Sequence, residues 1–345
     1  MVKIAIDAMG GDFAPAEQVK GCVDALKKDK DLFLYLCGDE SAVQAELAKY
    51  DYDASRVEIV PTTEIITNEE EPAKAVKMKK NSSTVVAFRL AKDGVADGVV
   101  SSGSTGAVLS AGVLVLGRLK GVARPALCPA IPNAQGGITL LCDCGANLEC
   151  KPNYLVQFGL MATAYAQAVY GVEKPTVGLL NNGTEDHKGD LVHQEANALL
   201  KTTPGITYIG NVEGRELMLN SPTVVVADGY TGNIALKSME GAAKAVSNIL
   251  KQEFKRNFFT KMAALISGGV LKGVKRSMDY EKAGGAMFLG MSKAVVKGHG
   301  NSKARAFSVC ISQAAEAVKG DMVGKIKAML DELTAAQTKT AEENA

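Results

Sequence analysis

Tryptophan is absent from these 345 residues, and aromatic side chains together make up only 5%. Proteins that stack single-stranded nucleic acid rely on aromatic platforms, so the composition argues against that class. Charge of one sign is lacking too: 39 Lys and Arg face 38 Asp and Glu, a net +1. Nothing global therefore calls for nucleic acid, and any basic patch must be local. No apolar run reaches the ~20 residues that span a bilayer. Seven cysteines (Cys22, Cys37, Cys128, Cys142, Cys144, Cys150 and Cys310) make no disulfide framework in a chain of this length. Cys142, Cys144 and Cys150 cluster without paired CxxC spacing or a nearby histidine, so buried thiols in a reducing compartment are expected rather than zinc ligands. The start, MVKIAIDAMGG, enters a strand at once with no basic leader, and a soluble cytoplasmic protein is the expectation.

Familiar catalytic signatures are missing as well. No GxGxxG or P-loop spacing occurs, so neither a standard dinucleotide site nor a Walker-type ATP site is expected. There is no GxSxG elbow and no HExxH, and no carboxylate pair stands out. Only three histidines are present. His187 and His299 sit in glycine-flanked polar loops, whereas His193 falls on an amphipathic helix and reads as a surface residue. No cofactor, no metal and no covalent Ser or Cys relay is signalled.

What is present is a repeated unit, clearest in PTVVVADGYTGNIALKSMEGAAKAVSNIL at 222–250. Thr223 to Ala227 is a β-branched run of the kind buried on both faces of a sheet. It stops at Asp228-Gly229-Tyr230-Thr231-Gly232-Asn233, and a helix follows with its apolar residues on one stripe. Free N–H groups at such a helix start favour an anion. The same strand–loop–helix order recurs at Gly10-Gly11-Asp12, at Gly103-Ser104-Thr105-Gly106, at Gly145-Ala146-Asn147 and at Gly183 to Asp190. Alternating strands and helices imply a mostly parallel sheet covered on both faces. Its ligands would bind outside the carboxyl ends of the strands, and the five polar loops are expected to converge on one edge.

Such a site suits a reaction whose nucleophile is already an oxyanion. Phosphate needs little deprotonation at neutral pH, its second ionisation lying near ~6 to 7. Its obstacle is electrostatic, because it must approach a carbonyl that itself becomes negative. Lys188 is a plausible phosphate-holding cation or else a solvated lysine. Asn233 is a donor to the developing oxyanion or else an ordinary N-cap, and Arg124 a second cation or a salt-bridge partner.

Taken together these loops resemble the PlsX family of phosphate acyltransferases. The matching stretches are IAIDAMGGDFAP (4–15), KKNSS (79–83), SSGSTGA (101–107), GRLKGVARPAL (117–127), DCGANLECKPNYLVQ (143–157), GLLNNGTEDHKGD (178–190), IGNVEGREL (209–217), DGYTGNIALKSMEG (228–241), GGAMFLG (284–290) and KGHGNS (297–302). The resemblance implies a three-layer α/β/α, Rossmann-like fold akin to phosphate acetyltransferases and isopropylmalate dehydrogenases. It implies a homodimer that moves a long-chain acyl group from acyl carrier protein to inorganic phosphate, the acyl phosphate then serving a membrane glycerol-3-phosphate acyltransferase in phospholipid synthesis. Carried over by position, Lys188 and Asn233 are the catalytic pair; beside them His187, Asp228 and His299 are secondary candidates for handling or orienting protons. Gly10, Gly11, Asp12, Gly103, Ser104, Thr105, Gly106, Arg124, Asn147, Thr231, Gly232 and His299 line the substrate. Ser104 departs from the family, which commonly carries Asn there.

Residues 1–333 read as one α/β domain carrying an arm at 234–283, and 334–345 as a disordered tail. A helix running from Asn233 to Ile266 would extend about 50 Å at 1.5 Å per residue. Near its far end Phe258, Phe259, Leu265, Ile266, Val270 and Leu271 are bracketed by Lys255, Arg256, Lys261, Lys272, Lys275 and Arg276. That pattern suits an anchor on an anionic membrane surface, at the inner face of the cell membrane, or packing in a dimeric helix bundle. The same cations suit an acidic carrier protein. Rival readings are a short-chain enzyme using coenzyme A, which an adenine pocket would favour, and a silent scaffold, which phosphate-dependent thiol release would exclude. A dehydrogenase on the same fold lacks its metal-binding aspartates.

Overall fold

The computed structural model describes residues 1–219, 222–269, 273 and 284–343. Apolar runs without polar alternation become strands buried on both faces: β1 (Val2–Asp7), β2 (Leu32–Gly38), β3 (Val57–Pro61), β4 (Gly98–Ser101), β6 (Ile138–Cys142), β7 (Thr176–Asn181) and β9 (Val224–Val226). β8 (Thr207–Glu213) is longer than the short strand expected near Tyr208. β5 (Ala126–Pro132), β10 (Ala286–Leu289) and β11 (Ala294–Lys297) were not legible. β5 carries Pro129 and Pro132, which argue against a strand locally, and the other two have four residues each.

The sheet order is β3-β2-β1-β4-β11-β10-β5-β6-β9-β7-β8. β3, β2, β1, β4 and β11 are parallel to one another, and so are β6, β9, β7 and β8. Between them β10 and β5 pair antiparallel, and β6 runs antiparallel to β5. The two parallel halves therefore point in opposite directions. β5 belongs to both, pairing with β10 through Ala126–Pro129 and with β6 through Ala130–Pro132. The expectation of a single edge gathering five loops needs correction: there are two carboxyl edges, and β5 brings them face to face.

The apolar packing follows the same division. On one face a single cluster runs beneath both halves, closed by α1 (Ala16–Lys28), α6 (Pro152–Tyr170), α10 (Ala304–Lys319) and α11 (Met322–Glu343). Fully buried rings such as Phe158 and Phe307 lie here, each worth ~1.5–3 kcal/mol over an exposed ring. On the other face the core is split. One cluster packs α3 (Pro72–Met78), α4 (Ser83–Lys92) and α5 (Thr105–Ala111) on the first half. A smaller one packs Ala235, Leu236 and Met239 of α8 (Gly229–Lys255) on Leu141, Leu180, Val225 and Ala227. The gap between these two clusters is where a ligand has room.

Two helical expectations change. The arm is not one helix from Asn233 to Ile266: α8 starts at Gly229 and ends at Lys255, and α9 runs from Phe258 to Ile266. Asn257 breaks the run because its side chain caps Thr260 while Thr260 caps back, a reciprocal start signal for a new helix. Val270, Leu271, Lys272, Lys275 and Arg276 lie outside the described residues. The segment from Thr334, expected to be disordered, continues α11 as far as Glu343, with Leu330 and Leu333 buried just before it. No helix among the described residues is long and apolar enough to cross a membrane.

Candidate active site

Register locates the site. Asp7, Ser101 and Lys297, at the carboxyl ends of β1, β4 and β11, lie on one row, since Lys297 pairs with Ser101 and the Ser101 hydroxyl donates to Asp7 at 2.7 Å. The row continues through Ala286 to Pro129 of β5. From the other half, Asp143 follows the last residue of β6 and accepts the Leu127 N–H at 2.9 Å, while Cys144 N–H donates to the Leu127 carbonyl. Both carboxyl edges thus meet at residues 127–129. A cavity of about 590 Å³ opens at this seam, within the usual range for small-molecule sites. Thr105, Cys144, Gly145, Asn233, Lys237, Glu240, Lys297 and His299 are among its lining residues.

Helix α8 is locked at the seam by contacts only glycine permits. A Cβ on Gly232 would stand 1.9 Å from the Asp143 carbonyl oxygen, and one on Gly229 2.5 Å from that of Asn147. The helix cap is Asp228, whose carboxylate accepts the Thr231 N–H at 2.8 Å. Gly229 N–H is taken by the Asn147 carbonyl and Gly232 N–H by that of Asp228. The expectation of free amides awaiting an anion is thereby revised, because the Asp228 carboxylate already occupies that place. Asn233 is not the cap; it sits one turn inside, against Gly145, and lines the cavity.

The loop after β7 lies on the opposite side of α8. A second, open pocket of about 400 Å³ is formed there by residues including Asn181, Gly189, Asp190, His193, Thr231 and Ile234. The loop is held through its own carbonyls: Asn181 donates to Lys188, Gln194 to His187 and Gly189, and Asn211 to Glu185. Lys188 is half-buried with its stem against Gly183, His187 is exposed, and neither lines either cavity. Lys188 and Asn233 are therefore near the same helix but not in one enclosed space. His193, read as a surface residue, is instead mostly covered and bridges two carboxylates, 2.8 Å from Asp190 and 3.8 Å from Asp228. Hydrogen bonding to His193 holds the Asp190 carboxyl below the usual range.

The remaining expected residues divide between lining and scaffold. Thr105 and His299 line the cavity. Gly10, Gly11, Asp12, Gly103, Ser104 and Gly106 stand behind it in interlocked loops: Asp12 N–H donates to the Gly300 carbonyl, a Cβ on Gly10 would press on Gly103, and one on Gly106 would strike Pro72. Ser104 is the cap position of α5 but makes no side-chain cap bond. The Asn147 amide is spent on Pro125 and Asp143. The Arg124 guanidinium lies 6.0 Å from the Tyr154 ring centroid, outside the cavity lining.

Sequence reading missed three polar groups here. Buried Asp7 accepts from Thr84 and Ser101 at 2.7 Å each through one oxygen, leaving the other without a partner. Buried Asp143 collects N–H donors from Leu127, Ala146 and Asn147, yet burial outweighs them and pushes its carboxyl up. Lys297 was passed over although a lysine ending the apolar run Ala294-Val295-Val296, directly before Gly-His-Gly, is an anomaly worth asking about. Cys144 lines the cavity, but burial holds its thiol well above its ordinary range and its Sγ donates to the Leu141 carbonyl, so it is a poor nucleophile.

Residues 2–325 match a family described as fatty acid synthesis protein. The chain is 46% identical over 326 residues to a phosphate acyltransferase of Caldanaerobacter subterraneus subsp. tengcongensis, covering 94% of this chain and 96% of that one. Over 326 residues it is 44% identical to a phosphate acyltransferase of Clostridioides difficile, covering 94% and 95%. Among solved structures it resembles a phosphotransacetylase from Streptococcus pyogenes, with a TM-score of 0.62 at 17% identity over 92% of this chain and 94% of that one. The EutD phosphotransacetylase from Staphylococcus aureus gives 0.59 at 17% identity with the same coverage. At that identity the likeness speaks for the fold alone: a mostly parallel sheet flanked by helices.

Proposed function

The chain belongs to the PlsX family of phosphate acyltransferases, and from that premise we propose that it transfers a long-chain acyl group from acyl carrier protein to inorganic phosphate. A phosphate oxygen bonds to the thioester carbon, the carbonyl electrons move to oxygen, and the C–S bond then breaks. The carrier leaves as a thiolate that takes a proton from solvent, and the product is an acyl phosphate. The single observation that carries this reading is the seam cavity, which offers the Asn233 amide and lysine charge but no activated nucleophile. Asn233 steadies the developing oxyanion, worth ~3 kcal/mol of barrier for a well-placed donor. Lys188 guides phosphate from the loop after β7, and the cavity's Leu127, Pro129, Ala130 and Leu236 suit an acyl chain.

The arm gives the enzyme its place of work. Phe258, Phe259, Leu265 and Ile266 of α9 are 72, 81, 75 and 83% exposed, beside Lys255, Arg256 and Lys261. Apolar groups so uncovered fit an anionic membrane surface, while the exposed Val246, Ile249 and Leu250 of α8 fit a second copy of the chain. The product would then be released where a membrane acyltransferase consumes it. Incubating the purified protein with palmitoyl carrier protein and orthophosphate tests the reading: free thiol and acyl phosphate should appear together and only with phosphate. Thiol release indifferent to phosphate would sink it.

A further inference from the structure

We propose that the Lys297 ammonium is a phosphate-holding group inside the seam cavity, a catalytic residue acting across from the Asn233 amide; this rests on the acyl-transfer reading above. Three observations converge on it. First is position: Lys297 ends β11 on the row of Asp7 and Ser101, and lines the cavity together with Asn233, His299 and Asn301. Second is the lack of a partner. Among the described residues no hydrogen bond or ion pair engages its Nζ, whereas neighbouring Lys237 is paired with Glu240 at 2.8 Å.

Third is the company it keeps. Gly284, Gly285, Ala286, Gly145 and Ala306 stand around the same space, side chains too short to fill it. A lysine kept only for packing would have its stem covered and its head in water or on a carboxylate. Here burial pushes the ammonium below the ordinary lysine range; Cys310 and Asp12 oppose that, and the positive field of Lys237 reinforces it. A covered cation that no ion pair engages among the described residues is costly, and an entering dianion offsets that cost. Phosphate is the small dianionic substrate of the proposed reaction. Held on Lys297, its charge is screened from the carbonyl it attacks, and Lys297 stays protonated while the O–C bond forms and the C–S bond breaks.

The full chain is tested with palmitoyl carrier protein, following thiol release against orthophosphate concentration. Lys297→Met should raise the phosphate KM about tenfold to a hundredfold, the scale of a lost charge-assisted contact, with the carrier KM unchanged. Lys297→Arg should recover part of the loss, and methylammonium should partly rescue Lys297→Ala. A readout independent of activity is thermal unfolding: orthophosphate should raise the Tm of the wild type and not that of Lys297→Met. If Lys297→Met does not fold, Lys297→Gln, which keeps length and polarity, takes its place in both measurements. Wild-type phosphate KM and phosphate-dependent Tm in the uncharged variant overturn the assignment. A wild type that binds phosphate yet releases no thiol overturns the acyl-transfer reading instead and leaves the two failures distinct.

Discussion

The root of α8 and its shaft belong to one helix but follow different rules. At the root, Gly229 and Gly232 are the only buried residues of the helix, pressed on the backbone of Asp143 and Asn147. Along the shaft the apolar residues stay uncovered, from Val246 at 47% exposed to Ile249 at 59%. The root is held by steric necessity, the exposed shaft by helix propensity. The lesson is that a glycine-rich loop before a helix need not cradle an anion. Here its glycines serve close approach, and a cavity opens one turn further on, at Asn233.

That contrast can be broken most directly by adding one methyl group at each place. Gly232→Ala should cost about 3 kcal/mol or more in urea unfolding, because the new Cβ meets a backbone carbonyl that cannot move alone. Gly241→Ala, with nothing within 4 Å of the added carbon, should instead gain up to ~1 kcal/mol of helix propensity. Equal responses would mean that root and shaft are not different environments. Next come the side chains on the two flanks of the root. Asn233→Ala should lower turnover about a hundredfold while leaving unfolding unchanged, a barrier effect of ~3 kcal/mol. Lys188→Ala should likewise lower turnover severely without unfolding; near-normal rates would remove it from the mechanism.

A smaller effect is expected at the cap. Asp228→Ala frees the Thr231 N–H and breaks the contact with His193, which should cost ~1 kcal/mol of stability. Smallest for the folded enzyme, though not for its location, is the shaft's far end. Phe258→Glu, Leu265→Glu and Ile266→Glu together should abolish sedimentation with anionic liposomes and leave turnover on a soluble thioester intact. Liposome binding that survives these three charges would return the apolar tip to a purely dimeric role.

How legible all this was depended on the range of the interactions involved. Val224–Val226, Ile138–Cys142 and Gly98–Ser101 were readable as strands because a fully buried strand needs nothing but a short apolar run between turn residues. β5 was not, because Pro129 sits where the strand changes partner from β10 to β6 and Pro132 at its very end, a fact of pairing rather than of local sequence. The alternative reading of Asn233 as an ordinary N-cap does not hold, since the cap is taken by Asp228 five residues earlier. His193 was dismissed because helical spacing alone does not reveal that Asp228, thirty-five residues away, comes within 3.8 Å. Lys297 carried a local oddity, a charge at the end of a buried strand, but its cavity is assembled from segments far apart in the chain.

The sequence by itself determined the alternation of strand, loop and helix, the buried thiols, the family and the apolar tip of the arm, because burial preference and helical or extended periodicity are properties of neighbouring residues. Only the tertiary structure decided that the two parallel halves oppose each other across β5, so that loops far apart in the chain share one cavity. Strand direction and partner are set by contacts between distant segments, and no local pattern of residues encodes that Lys297 enters that cavity unpaired among the described residues.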